Sequence, residues 1–113
     1  MLPKKHRLPL RTDLVEIKKK GKLFQGELFS LLVAKTDKSK PARFSFIIST
    51  KIHKRAVKRN QARRLLIEAI RSFLPQVKPG FDALFLAKKK LVGKKLKEVS
   101  LEVENLFKKT GIV

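Results

Sequence analysis

Six cations stand within the eleven residues 54–64 of the stretch KRAVKRNQARRLL: Lys54, Arg55, Lys58, Arg59, Arg63 and Arg64, with no acid among them. Guanidinium groups at that density suit bidentate contacts to phosphate, and lysines add compact point charges. The stretch runs into LLIEAI, which carries a helical pattern, so most of these cations fall at or just before a helix N-terminus. That end of the backbone dipole favours anions and repels cations. The arrangement becomes favourable when a phosphate lies against it, because dipole, backbone N–H groups and side chains then act together. On a helix advancing ~100° per residue, Ala62, Leu65, Leu66, Ala69, Ile70 and Phe73 cover one arc, the expected core face. Asn60, Arg63, Arg64 and Arg71 form a second stripe, with Ile67 in its middle and Arg59 at its border. A merely solvated face would mix signs for i,i+4 pairing, yet Glu68 is the only acid between Ile52 and Gln76. Asn60 can meet a base edge or a ribose hydroxyl, or stand exposed with no task. His53 and His6 read as solvated loop residues.

Hydrolytic chemistry is missing from the chain. There is no cysteine and there are two histidines, and no HExxH pair, phosphate-cradling glycine loop or nucleophile beside a base. A protein nuclease would need clustered carboxylates to hold Mg²⁺, and the acids here are few and scattered. The expectation is a binder with no catalytic residue and no metal site of its own.

The 113 residues suit one domain spanning the whole chain, and 42% hydrophobic content suits a folded one. Lys and Arg number 29 against 9 Asp and Glu, a formal charge of +20. Self-repulsion on that scale is relieved by a polyanion: nucleic acid first, an anionic membrane surface second. The opening MLPKKHRLPL lacks the apolar centre of a signal peptide, and no run approaches the ~18 apolar residues of a membrane span. A cytoplasmic protein that engages no membrane is expected.

The elements that must position the basic helix follow from pattern. Residues 1–10, basic and with two prolines, read as a flexible arm. Residues 12–21 form a short helix, with Thr12 or Asp13 as cap, Asp13 and Glu16 as a variant capping box, and Gly21 as its stop. Residues 22–35 give a short strand and a longer one, and TDKSKP (36–41) is a turn. In 43–50, Phe44, Phe46 and Ile48 share one face, so this strand and the preceding one are expected to form an antiparallel hairpin. A helix from about Lys58 to Leu74, a strand over 81–88 and an amphipathic helix over 94–109 complete the chain. Leu96, Val99, Val103, Leu106 and Phe107 lie on one side of that last helix, and Glu98, Glu102 and Glu104 point it away from a polyanion. The order α-β-β-β-α-β-α makes a single-domain α+β sandwich, its small, mostly antiparallel sheet covered by helices mainly on one face.

AVKRNQARRLLIEAIR (56–71) resembles the signature of the bacterial ribonuclease P protein subunit, a family with an Arg-Asn-Arg core on a long helix. HRLPLRTDLVEIKKKGK is similar to that family's opening helix, FIISTKIHKRAV to its strand entering the signature, and PGFDALFLAK to its last strand. The likeness spans residues 6–109. It implies a subunit of the ribonucleoprotein that removes the 5′ leader of precursor tRNA, the RNA performing the hydrolysis with Mg²⁺. It also implies a left-handed β-α-β crossover, against the usual rule. Carried over by position, Arg55, Lys58, Arg59, Asn60, Gln61, Arg63, Arg64 and Arg71 would face the catalytic RNA. Leu14, Lys18, Leu32 and Lys51 would line a leader cleft between the sheet and the first helix. The chain departs from the family at Gln61, where arginine is common, at Ala62, where a larger aliphatic is usual, and at Ile67, where a cation is usual. Leu14 and Lys18 stand where aromatics are common, and Leu32 where Tyr is. With no Trp or Tyr, stacking would fall to Phe, and Phe29, Phe44, Phe46 and Phe85 have core roles available. Charge alone also suits a structural RNA-binding protein, such as a small ribosomal protein, or a nucleoid-type DNA binder; the resemblance favours RNA partners, the catalytic RNA and precursor tRNA, and no DNA.

Overall fold

A computed structural model describes residues 2–8, 17 and 19–113. Its strands are β1 (Lys22–Gln25), β2 (Phe29–Lys35), β3 (Arg43–Ile47) and β4 (Phe81–Ala87), and its helices α1 (Ala56–Arg71) and α2 (Leu96–Thr110). Of the expected first helix, 12–16 and Lys18 lie outside the described residues. Ile17, Lys19 and Lys20 are helical, and the Gly21 N–H closes on the Ile17 carbonyl at 2.7 Å.

The sheet runs β1-β2-β4-β3, antiparallel except for the parallel β3–β4 pair. The expected hairpin of the two strands flanking 36–41 does not form, because β4 lies between them. Its composition explains why. Ala83, Leu84 and Phe85 are each 0% exposed, and a strand apolar on both faces belongs in the centre of a sheet. Arg43, on β3, is left at the edge side, where its guanidinium makes a two-pronged bond to Asp82 on β4, 3.0 and 2.8 Å.

Both helices cover the same face. Ala62, Leu66, Ala69 and Ile70 of α1 and Val99, Val103, Leu106 and Phe107 of α2 meet Phe29, Leu31, Phe44, Ala83 and Phe85 in the main core. All eight phenylalanines pack in or against it, and six make ring contacts: centroids are 5.1 Å apart for Phe29–Phe85, 5.5 Å for Phe46–Phe85, 5.8 Å for Phe44–Phe107 and 6.1 Å for Phe73–Phe107. On the opposite face Leu8, Ile17, Ala34 and Leu84 form a smaller cluster, with Leu32, Ile47 and Leu86 half-buried around it. Gly21 fits beside this cluster only without a side chain: a Cβ there would meet the Ile17 carbonyl and come within 2.9 Å of Leu32.

Part of the segment expected as a free arm is docked. Leu2 and Leu8 are buried, the Leu8 N–H donates to the Phe44 carbonyl at 2.9 Å, and Arg7 bridges Phe44 in parallel. Residues 2–8 thus cover the outer edge of β3, which would otherwise offer unpaired backbone groups. The two leucines supply the apolar area that the lysines of the same segment conceal in a composition count.

Helix ends follow local chemistry. Helix α1 begins a little earlier than its pattern and stops at Arg71, with the Ser72 hydroxyl donating to the Ala69 carbonyl. Pro75 disfavours helical backbone at Leu74, and 74–76 form a 3-10 turn. Helix α2 starts where Glu98 accepts the Lys95 N–H at 3.1 Å. It ends at Gly111, whose φ of +80° is left-handed, letting Ile112 bond the Phe107 carbonyl and bury completely.

Candidate nucleic-acid interface

The strand–helix connection carries the basic cluster. After β3 the chain turns at 49–52, the Ile52 N–H bonding the Ser49 carbonyl at 3.0 Å, and enters α1 through Arg55 with no side-chain cap and no acid in the first turn. The Arg55 N–H is taken by His53 Nδ1 at 3.0 Å. His53 is therefore half-buried and employed in the turn, which the expectation of a solvated loop residue missed. The N–H groups of the first helical turn keep their anion-binding capacity.

Around this terminus Lys54, Arg55, Lys58, Asn60, Gln61, Arg63 and Arg64 are all exposed. Arg59 is different. It is half-buried, and its Nη1 donates to the carbonyls of His53 and Lys54, each at 2.9 Å. At ~100° per residue Arg59 falls on the arc of Leu66 and Ile70 rather than at the border of the Asn60–Arg71 stripe. The buried residues of the helix begin only at Ala62, and the Arg59 guanidinium folds onto the turn. Arg71, at the far end of α1, is exposed and paired with Glu68 at 3.2 Å.

Two departures from the family pattern find a packing reason. Ala62 is buried at the helix–sheet contact. Ile67 is half-buried against the core and lines a cavity of about 190 Å³ with Leu2, Leu8, Phe44 and Phe46. A cation at 67 would face the docked N-terminal leucines.

Of the residues assigned to the leader cleft, Leu14 and Lys18 lie outside the described residues. Leu32 is half-buried on the sheet face away from α1 and α2, in register with Leu23 on one side and Leu84 on the other. Lys51 is exposed in the turn beyond β3. Phe29, Phe44 and Phe85 are core residues with 2% exposure or less, and Phe46, half-buried, packs on Phe85. None of the four lies on the Leu32 face. Sequence reasoning also missed Lys88, whose Nζ donates to Gln25 Oε1 at 2.9 Å and the Gly26 carbonyl at 2.6 Å, tying β4 to the β1–β2 turn.

Most of the described acids are occupied by the fold. Glu102 accepts the N–H groups of Glu27, Leu28 and Phe29 at 2.9, 2.9 and 3.1 Å. Asp82 holds Arg43, Glu68 holds Arg71, and Glu104 holds Lys108. Asp37 accepts the Ser39 N–H at 2.9 Å, and donation from Ser39 lowers its pKa below the ordinary 3.8. Among the described residues no three His, Asp or Glu side chains gather as a metal site would require, and no helix is long and apolar enough to cross a membrane.

Comparison with known proteins agrees with this geometry. The family model for ribonuclease P matches residues 2–111. The ribonuclease P protein component of a Synechocystis species is 30% identical over 112 residues, covering 99% of this chain and 90% of that protein. Its counterpart from a Synechococcus species is 33% identical over 116 residues, covering 100% and 87%. The solved RNase P protein of Thermotoga maritima superimposes with a TM-score of 0.81 at 30% identity, over 91% of this chain and 96% of that one.

Proposed function

The chain belongs to the ribonuclease P protein family, and from that premise we propose how it serves a tRNA-processing ribonucleoprotein. Its RNA partner is the catalytic RNA of ribonuclease P, and its second ligand is the 5′ leader of precursor tRNA. The observation that carries this reading is the uncapped, acid-free N-terminus of α1 with Arg55, Lys58, Arg63 and Arg64 exposed around it.

Phosphates of the catalytic RNA lie against that terminus. Arg63 and Arg64 meet them as forks, Arg55 and Lys58 as flanking charges. Gln61 adds a neutral donor beside them, and Asn60 supplies the contact that distinguishes ribose or base. Arg59 acts mainly by holding the 53–55 turn in the shape that presents these groups, and Arg71 is available once Glu68 releases it. Leader nucleotides lie along the opposite sheet face, near Leu32 and Lys51, with Leu14 and Lys18 as further candidates from the resemblance.

Hydrolysis of the leader bond belongs to the RNA, with Mg²⁺ held by RNA oxygens. Among the described residues most acids bond this chain's own backbone and cations, and no three of them gather where they could hold a metal. The protein's contribution is to neutralise phosphate repulsion and to hold leader and RNA together, in the cytoplasm where precursor tRNA is made.

The test is reconstitution. Protein added to the ribonuclease P RNA at low Mg²⁺ should restore leader removal from a labelled precursor, and protein without RNA should cleave nothing. Cleavage that survives removal of all RNA would overturn the assignment of chemistry.

A further inference from the structure

A second cationic surface lies at the other end of the helix layer. Lys20, Lys22, Lys35 and Lys109 surround a pocket of about 460 Å³ floored by Phe24, Val33 and Phe81. A neighbouring hollow of about 450 Å³ shares Lys35 and Phe81 and adds Lys38 and Lys78. The six lysines come from four separate stretches of the chain, 20–22, 35–38, 78 and 109, so helix periodicity does not explain their convergence. Neither hollow has an acid among its described lining residues. Asp37, the nearest acid in sequence, is turned onto Ser39, and Glu104 is held by Lys108. The C-terminus of α2 favours Lys109 through its dipole, but that effect does not reach lysines on β1, β2 and two loops.

The floor is equally selective. Six phenylalanines make ring contacts with one another, whereas Phe24 and Phe81 pack half-buried against the same core at the base of this groove. Aromatic and apolar faces rimmed by phosphate-binding charges are how proteins hold unpaired RNA without reading its sequence.

We propose that this groove is a second docking site for the catalytic RNA, taking an unpaired segment with its phosphates on the lysines and its bases on Phe24 and Phe81. The proposal rests on the reading of the chain as a ribonuclease P subunit. The side of the sheet decides between the two RNA ligands. Phe24, Val33 and Phe81 belong to the face that carries α1 and α2, whereas the leader is assigned to the opposite face. The groove and the α1 terminus therefore address one partner from the two ends of one layer, on a molecule 38 Å long.

The experiment uses the full chain and the ribonuclease P RNA without precursor. Binding is measured as a function of salt for the parent, for Lys22→Gln/Lys35→Gln/Lys109→Gln, and for Arg63→Gln/Arg64→Gln. The lysine triple variant should bind about tenfold or more weakly at low salt, and its slope of log affinity against log salt should fall by about 2–3, one phosphate contact per lysine. Because the chain has no cysteine, Thr110→Cys in the groove and Gln61→Cys on α1 each accept a single photo-crosslinker. The two should label different segments of the RNA. A triple variant with the parent's slope and affinity overturns the groove while leaving the α1 assignment standing. The same follows if its loss appears only with precursor tRNA, or if Gln61→Cys crosslinks and Thr110→Cys does not. A parent protein that does not bind the RNA overturns both.

Discussion

Arg59 donates from Nη1 to the His53 carbonyl over 2.9 Å, and the same nitrogen reaches the Lys54 carbonyl. An arginine within the stretch that resembles the family signature is here a strut of the turn that enters the helix. Arg59→Ala should therefore lower stability by about 1 kcal/mol, after allowing for partial exposure. Arg63→Ala and Arg64→Ala should stay within about 0.5 kcal/mol of the parent. Urea unfolding of the three variants decides this; equal stability for all three would show that the Arg59 bonds add nothing.

Binding should separate the same residues differently. Arg63→Ala and Arg64→Ala should each weaken association with the catalytic RNA by roughly 1–3 kcal/mol. Each should reduce the salt slope by about 0.7–0.9. Asn60→Ala should cost affinity and leave the slope unchanged, since it removes a neutral hydrogen-bonding group. Filter binding across a salt series measures both quantities, and a slope that falls for Asn60→Ala would mean that the substitution had disordered the neighbouring cations.

Glu102 is the acid with the largest structural task, closing the β1–β2 turn through three backbone N–H groups. Glu102→Ala should cost about 2 kcal/mol, within the range for bonds to a charged group. It should also speed amide exchange at Leu28 and Phe29 while leaving α1 protected. Glu102→Gln, which keeps one acceptor oxygen, should recover part of the loss. Uniform loss of protection would instead mark Glu102 as part of the global folding unit.

The parts legible in the sequence were those governed by short-range pattern. The core arc of α1, the alternation of Phe44, Phe46 and Ile48, and the apolar side of α2 from Val99 to Phe107 each stand where periodicity put them, while Leu96, expected on that same side, is exposed in the first turn. The pairing partner of β3 was not legible, because hairpin reasoning takes the next strand in sequence, whereas burial of β4 on both faces decides the order. Arg59 was misplaced on the wheel itself, since ~100° per residue puts it on the core arc, and the carbonyls of His53 and Lys54 that it meets there are set only by the folded turn. The docked 2–8 segment was hidden because Leu2 and Leu8 are two residues among many cations. The lysine groove was invisible, since its members come from segments that only the fold assembles.

Asp37 should make the 36–41 turn pH-sensitive. Donation from Ser39, backbone first and hydroxyl second, holds its carboxyl below the ordinary value of 3.8, with Lys40 adding to the effect and desolvation opposing it. A lowered folded pKa means the stabilisation is present above the ordinary value and fades as pH falls through the lower one. The Ser39 amide should lose its downfield shift and exchange protection on that descent, and Asp37→Asn should abolish the titration while keeping much of the turn. An amide shift that stays flat through acid pH in the parent would show that the carboxylate does not hold the turn.

Leader binding is the remaining case in which composition constrains mechanism. Base stacking on aromatics contributes ~1–3 kcal/mol per base, and it needs rings on the Leu32 face. The six clustered phenylalanines are on the helix side, and Phe24 and Phe81 belong to that side too. Leu32 offers an apolar surface without a π face, and Lys51 offers charge. The leader should therefore be held mainly through its phosphates, which is blind to sequence and sensitive to salt. Precursors carrying leaders of different sequence should bind the assembled particle almost equally, and the affinity that a leader adds should fall steeply as salt rises. Lys51→Gln should reduce that leader-dependent slope by about 0.7, the single-strand value for one phosphate, with no change for a tRNA that lacks a leader. Comparing precursor and mature tRNA binding across salt isolates the leader's share. A marked base preference in the parent, or a leader contribution indifferent to salt, would place the leader elsewhere on the protein.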